Sequence, residues 1–238
     1  MRPVRPGACT AATMTGPDSV AVLASGGVDS TILVAEQANH GHVVHPVYIR
    51  FGLAWEHAEE AHLRRFLDAL GGLSVEPLAV IELPVADVYG PHWSVSGTDV
   101  PDEATADDAV YLPGRNLLLL AKTCVWCARK GVNRIVLGTL LGNPFADSSP
   151  QFFSGVASLS TFALGHDLHV ETPFAHLTKA EVLELGRALP REHTFSCIAP
   201  VGAECHRPAE VRGNPEVGAD ASEDLVDPER AVRRLECR

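Results

Sequence analysis

Apolar residues run from Val20 to Ala24, stop at Ser25-Gly26-Gly27, and recur at helical spacing through Val28, Ile32, Leu33 and Ala35 as far as Gly41. That change of period predicts a buried strand, a tight turn and a helix. The alternation then repeats. Val43–Ile49 reads as a second strand, and Glu56–Leu70 as an amphipathic helix with Leu63, Phe66, Leu67 and Leu70 on one face and Gly71-Gly72 as its stop. Val75–Leu83 reads as a third strand with Pro84 at its exit. A strongly apolar stretch from Arg115 predicts a helix to Lys130. Val132–Leu137 predicts a fourth strand, Phe152–Leu164 a helix and Val170–Pro173 a short last strand and turn. Thr178 caps a final helix running to Leu189, with Glu181 as its capping-box partner. Strands separated by helices are joined by right-handed parallel crossovers. The expected fold is therefore α/β, a doubly wound sheet of about five mostly parallel strands. Loops after such strands gather at the carboxyl edge of the sheet, where open parallel sheets bind ligands. Loops 25–30, 51–55, 111–116 and 138–147 and the helix start at 178 are thus expected to rim one cleft.

Residues 90–114 interrupt this pattern. They carry Asp99, Asp102, Glu103, Asp107 and Asp108, are rich in Pro, Gly, Ser and Thr, and contain no Lys or Arg. They read as a surface loop, either a lid or a solvated linker. The 238 residues suit one domain with a small appendage. The expected division is a disordered leader over 1–17, one α/β domain over 18–190 and a poorly ordered segment over 191–238.

Charge narrows the partners. Nineteen Lys plus Arg stand against thirty Asp plus Glu, a formal charge of −11, which argues against a broad nucleic-acid footprint and so against direct tRNA binding. There is no apolar run of membrane-spanning length, and the first 17 residues lack the apolar core of a secretory signal, so a cytoplasmic location is expected. Cys124 and Cys127 form a Cys-x-x-Cys inside a helical pattern and read as packing residues, with a redox or metal pair as the alternative.

The chemistry concentrates at Ser25-Gly26-Gly27-Val28-Asp29-Ser30-Thr31. Two glycines let backbone approach a ligand closely. Backbone N–H groups, the hydroxyls of Ser25, Ser30 and Thr31, and a helix N-terminus converge on one point, which makes an anion site of phosphate or pyrophosphate size. Asp29 is misplaced for binding an anion directly, but fits if Mg²⁺ lies between its carboxylate and the phosphates. A Gly-Gly after a strand is also often only a turn. Arg115, at the mouth of a buried helix, suits bidentate contact with phosphate or carboxylate; a surface Arg beside a capping Asn116 is the plainer reading. Lys179 at a helix start works against the local dipole and suits a phosphate ligand better than a structural role.

The loop resembles the Ser-Gly-Gly-x-Asp-Ser loop of the ATP pyrophosphatases, the PP-loop superfamily, which cleave ATP between the α- and β-phosphates. Further segments resemble one branch of it, the 7-cyano-7-deazaguanine synthases. They are Pro113-Gly114-Arg115-Asn116, Gly138 with Asp147 and Pro150–Phe152, Glu171-Thr172-Pro173 with His176–Glu181, and Ser196-Cys197. The resemblance implies an adenine nucleotide alpha hydrolase-like fold and an ATP-dependent ligase of queuosine biosynthesis. Such an enzyme converts 7-carboxy-7-deazaguanine and ammonia to the nitrile through an adenylated carboxylate. It further implies ATP and Mg²⁺ as cofactors and a homodimer. Ser25, Gly26, Gly27, Asp29, Ser30 and Thr31 would bind the nucleotide. Arg115, Asn116, Asp147, Thr172 and Lys179 would bind substrate, with Asp29, Arg115 and Lys179 catalytic.

Three departures stand out. Where the family carries Gly-Gln-Arg-His this chain has Gly52-Leu53-Ala54-Trp55, and where it carries Asp-Cys-Arg-Pro-Glu-Phe this chain has Asp147-Ser148-Ser149-Pro150-Gln151-Phe152. Adenylation and amidation of a different small carboxylate is therefore a second expectation, and a nucleotide-binding protein without activity a third. The family's four-cysteine zinc site is reduced to Cys197 and Cys205, with Pro208 and Val211 at the next two positions. Two thiolates do not complete a structural Zn²⁺ site. His193, His206 and Cys237 are candidate replacements, and no stable zinc is expected.

Overall fold

The computed structural model describes residues 18–101, 111–195, 197, 200–201 and 204–205. The expected leader over 1–17, the acidic run 102–110 and the tail from 206 onward, with His206 and Cys237, lie outside the described residues.

Five strands form one sheet in the order β3-β2-β1-β4-β5: β1 (Ser19–Leu23), β2 (Val43–Arg50), β3 (Ala79–Glu82), β4 (Arg134–Val136) and β5 (His169–Glu171). All four pairings are parallel, so the doubly wound sheet is as the alternating pattern predicts. β1 lies at the centre because it is apolar on both faces, with Val20, Ala21 and Val22 fully buried. The strand order reverses between β1 and β4, the switch point at which such sheets open a crevice.

Helices cover both faces. On one face α1 (Val28–Asn39) and α2 (Glu56–Ala69) pack through Ile32, Leu33, Leu63 and Phe66 onto Val20, Val22 and Val44. On the other, α5 (Arg115–Lys130) and α6 (Pro150–Leu164) pack through Leu120, Cys124, Cys127 and Phe153 onto Ala21, Val47 and Ile135. Two one-turn helices, α3 (Ala86–Tyr89) and α4 (Trp93–Ser96), precede α5. α7 (Lys179–Leu185) closes the first face against α1.

Element ends differ from the pattern-based expectation at several places, among them the fourth strand, which is only Arg134–Val136. The third strand is four residues long, because Val75 makes only an isolated bridge to Val44 before the chain rejoins at Ala79. α6 starts at Pro150, where Pro at the helix start needs no N–H partner and Ser149 accepts from the Phe152 N–H. α7 stops at Leu185, four residues early. Gly186 follows it and lies against Ile32, so close that a Cβ there would come within 2.3 Å of the Ile32 Cδ1.

Candidate active site

β1 ends at Leu23, and Ala24 N–H donates to the Val47 carbonyl at 3.0 Å, so Ser25 leaves the sheet at its carboxyl edge. The turn is held by its own hydroxyls. The Ser25 N–H donates to Ser30 Oγ at 3.1 Å, the Gly27 N–H to Ser25 Oγ at 3.3 Å, and Ser30 Oγ–H to the Gly27 carbonyl at 3.0 Å. Gly26 has φ +85°, and a Cβ there would lie 2.7 Å from the Glu59 carbonyl oxygen, so only glycine fits between the loop and α2. The Phe195 N–H donates to the Gly26 carbonyl at 2.9 Å, which anchors the segment after α7 on the same loop.

This loop walls a cavity of about 280 Å³ at the carboxyl edge of the sheet. Ser25, Gly27, Asp29, Ser30, Arg115, Asn116, Gly138, Thr139, Asn143, Ser148 and Lys179 line it, with Tyr48 from β2, Phe51 and Leu53 from the loop after it, and Glu56 and Glu59 from α2. Each group of loops expected to rim one cleft contributes to it.

Lys179 opens α7, whose start is fixed by a capping box. The Glu181 N–H donates to Thr178 Oγ1, and the Thr178 N–H donates to Glu181 Oε2 at 2.7 Å. The Lys179 side chain is largely buried, and its Nζ lies 3.0 Å from Asp29 Oδ1 and 3.1 Å from Oδ2. Two residues 150 positions apart thus meet at the first turns of two helices. Arg115 opens α5 after Gly114, which holds φ +74°. Among the described residues its buried Nε makes no hydrogen bond. A buried donor without a partner in a cavity of this kind calls for an anionic ligand.

The Asp147 carboxylate accepts from the Asn116 N–H at 3.0 Å, and Asn116 Nδ2 donates to the Asp147 carbonyl at 2.9 Å and to Ser148 Oγ at 3.0 Å. Asp147 is buried, does not line the cavity, and braces the start of α5. Thr31 is fully buried, its hydroxyl donates back to the Gly27 and Val28 carbonyls, and it does not line the cavity. Gly26 is turned toward α2, and Thr172 follows β5; neither lines the cavity.

Sequence reasoning missed Tyr48, Glu56 and Glu59. Glu56 takes the backbone N–H groups of Phe51 and Gly52, the latter at 2.8 Å. Tyr48 OH donates to Glu59 Oε2 at 2.8 Å. Burial pushes the Glu59 carboxyl up to about 7, against the Tyr48 hydrogen bond and the Arg115 charge. The only sequence signal was an acidic first two turns on a helix that follows a ligand-edge loop.

Mg²⁺ takes one or two carboxylates and fills its shell with water and phosphate oxygens, and Asp29 beside the loop is a donor of that kind. Zinc finds less. Among the described residues no group of three or more His, Cys, Asp or Glu is placed to hold a metal. Cys197 is buried in the apolar cluster that holds Phe51, Trp55 and Phe195. Cys205 lies on β7 (Glu204–Cys205), which pairs with β6 (Pro200–Val201). The Cys124–Cys127 pair is buried in the core, and burial pushes the Cys127 thiol up to about 12, so it stays protonated at neutral pH and packs as an apolar side chain.

Leu53 and Trp55 of the divergent loop are buried, and Trp55 stacks on Trp93 with ring centroids 5.5 Å apart. The Ala54 N–H donates to the Ser94 carbonyl at 2.8 Å, so α4 covers this loop.

Over 186 residues the chain is 31% identical to the 7-cyano-7-deazaguanine synthase of Thiobacillus denitrificans, covering 74% of this chain and 81% of that one. It is 28% identical over 213 residues to the enzyme of that name from Solidesulfovibrio magneticus, covering 82% and 88%. It is 30% identical over 198 residues to that of Rhodopirellula baltica, covering 76% and 78%. The model of the family described as queuosine biosynthesis protein QueC matches residues 19–209, from the first strand past the last one described, and the chain belongs to that family of PP-loop ATP pyrophosphatases.

Proposed function

We propose that the chain is a 7-cyano-7-deazaguanine synthase, joining ammonia to 7-carboxy-7-deazaguanine at the expense of ATP. The coarser class, an ATP-dependent ligase-type enzyme, follows from the family. One observation carries the finer reading: the Ser25–Ser30 loop, the Asp29–Lys179 pair and the unsatisfied Arg115 Nε line one cavity. ATP phosphates lie on Ser25, Gly27 and Ser30. Mg²⁺, held through Asp29, neutralises phosphate charge when bound. The substrate carboxylate attacks the α-phosphorus, the α–β bridging bond breaks, and pyrophosphate leaves. Ammonia then displaces AMP from the acyl carbon to give the amide. In a second round the amide oxygen takes the adenylyl group, and loss of AMP and of both nitrogen protons gives the nitrile. Arg115 and Lys179 balance the charge gathering on the phosphates.

A second reading has a specific observation behind it. Leu53, Ala54 and Trp55 bring no cation to the cavity, and among its lining residues only Arg115 and Lys179 carry positive charge. A differently shaped small carboxylate would meet fewer cations here than the family's Gly-Gln-Arg-His loop provides. The test is pyrophosphate release from ATP with 7-carboxy-7-deazaguanine and ammonium chloride. Release that requires both supports the nitrile-forming reaction. Release with other carboxylates and none with the deazaguanine selects the second reading, and ATP binding without release for any acid removes both.

A further inference from the structure

The cavity holds more acid than base. Asp29, Glu56 and Glu59 line it against Arg115 and Lys179. A polyphosphate entering this space adds several more negative charges. Mg²⁺ through Asp29 offsets part of them, but each carboxylate left charged in a partly dehydrated cavity opposes the ligand.

The three carboxylates are not equivalent. Asp29 has Lys179 Nζ within 3.1 Å of both oxygens. Burial pushes the Glu56 carboxyl up as well, but both its oxygens accept from backbone N–H groups, which oppose that shift. Glu59 receives only the Tyr48 hydroxyl, on Oε2; among the described residues no hydrogen bond reaches its other oxygen. Tyr48 is itself buried on β2, so Glu59 is pinned beside the phosphate loop and has no route to swing into solvent while keeping that bond. Its own backbone carbonyl lies against Gly26. The charged groups around it are Glu56 on its own helix, Arg115 from α5, and Asp29 and Lys179 across the cavity.

Resting on the reading of this cavity as the ATP site, we propose that Glu59 is a nucleotide-binding residue that acts as the neutral acid. It takes up one proton as the nucleotide arrives, and its O–H then donates to a phosphate oxygen. The balance is simple: solvent supplies one proton, Oε2 keeps accepting from Tyr48, and the proton sits on the other oxygen. A carboxylic acid is both donor and acceptor, which is what one anionic ligand and one tyrosine hydroxyl require. In the empty cavity the Glu59 carboxyl already titrates at about 7, and added phosphate charge moves it higher. The sign follows from linkage. Affinity is full below about 7 and falls, toward about tenfold per pH unit, as pH rises above it until the bound-state ionisation is passed.

The test is calorimetric titration of the full chain with ATP, pyrophosphate and adenosine without added metal, from pH 7.5 to 9, in buffers of different ionisation enthalpy. The nucleotide's own phosphate proton, which comes off near 6, is already lost across that range. Wild type is expected to take up close to one proton with ATP, to bind pyrophosphate at the same site, to take up none with adenosine, and to lose affinity for ATP as pH rises. Glu59→Gln, which mimics the neutral acid, is expected to bind ATP with no proton uptake and little pH dependence, and more tightly than wild type at pH 9. Tyr48→Phe removes a donor that favours the charged form, so its affinity loss is expected to begin at higher pH than in wild type. Uptake in Glu59→Gln equal to wild type, or no uptake in wild type, overturns the proposal. Proton release, the result were Glu59 a cation ligand, overturns it too. No binding of ATP or pyrophosphate by wild type at any pH removes both this inference and the ATP-site reading. Pyrophosphate binding that fails only to support the deazaguanine reaction leaves this inference standing.

Discussion

Glu59 has a consequence for the protein without ligand as well. A glutamate in an unfolded chain ionises near 4.3, whereas burial between β2 and the Ser25–Ser30 loop moves Glu59 to about 7. Between those values the unfolded chain gives up its proton first, so the native state loses stability as pH rises through that window, and the loss is complete above about 7. Glu59→Gln is therefore expected to melt at a higher temperature than wild type at pH 8, with the gap closing by pH 4. Melting curves that track each other at both pH values would remove the buried-acid account. Asp147 is a carboxylate with a structural partner. It accepts from the Asn116 N–H at the first turn of α5, where negative charge is favoured. Asp147→Ala is expected to cost about 1–2 kcal/mol in urea unfolding, the range for losing a helix cap or a buried acceptor. Because Arg115 neighbours Asn116, the fall in kcat/KM is expected to exceed what that loss of stability explains.

At the scale of elements, the site depends on two helix starts meeting. α1 carries Asp29 and α7 carries Lys179, and the two helices pack through Gly186 against Ile32, which is fully buried. A methyl at 186 would come within 2.5 Å of Ile32 Cγ1, so the helices must separate to admit it. Gly186→Ala is expected to cost about 1–3 kcal/mol, the usual cost of overpacking, and to weaken nucleotide binding without touching the cavity. Chemical denaturation and ATP titration of the same variant check both; unchanged affinity would show that the Asp29–Lys179 pairing tolerates a shift of α7. Leu63 and Phe66 of α2 play the matching role for Glu59, since their burial fixes which face of that helix turns to the phosphate loop.

At the scale of the whole molecule, the sheet is tied together at the end opposite the cavity. Arg134 bonds the Glu171 carboxylate at 2.8 and 2.9 Å and reaches Asp18 as well, joining β4 and β5 to the start of β1. Beyond β5 the chain returns to the phosphate loop through Phe195 and buries Cys197 among apolar side chains. Two thiolates, Cys197 and Cys205, do not complete a structural Zn²⁺ site. Purified chain is therefore expected to hold no stoichiometric zinc and to melt at the same temperature with and without chelator. Elemental analysis finding about one zinc per chain, lost on Cys197→Ser, would overturn this. Among the described residues no helix is long and apolar enough to cross a membrane.

The sequence alone determined the order of the main strands and helices, the parallel sheet and the Ser25–Ser30 loop at its carboxyl edge, because each rests on local periodicity, on glycine positions and on capping residues close together in the chain; the one-turn helices at Ala86–Tyr89 and Trp93–Ser96 were not legible in it. Ser25, Gly27, Asp29, Ser30, Arg115, Asn116 and Lys179 are all legible as cavity-lining residues for that reason. Tertiary structure alone decided the rest. Thr31 and Asp147 have the right chemistry for ligand contact, but their positions turn the hydroxyl into the helix and spend the carboxylate on Asn116. Tyr48 and Glu59 carry no motif, since eleven positions separate them and their meeting depends on how α2 packs beside β2. The strength of an acid is set by desolvation and by neighbours, and neither exists until the chain has folded.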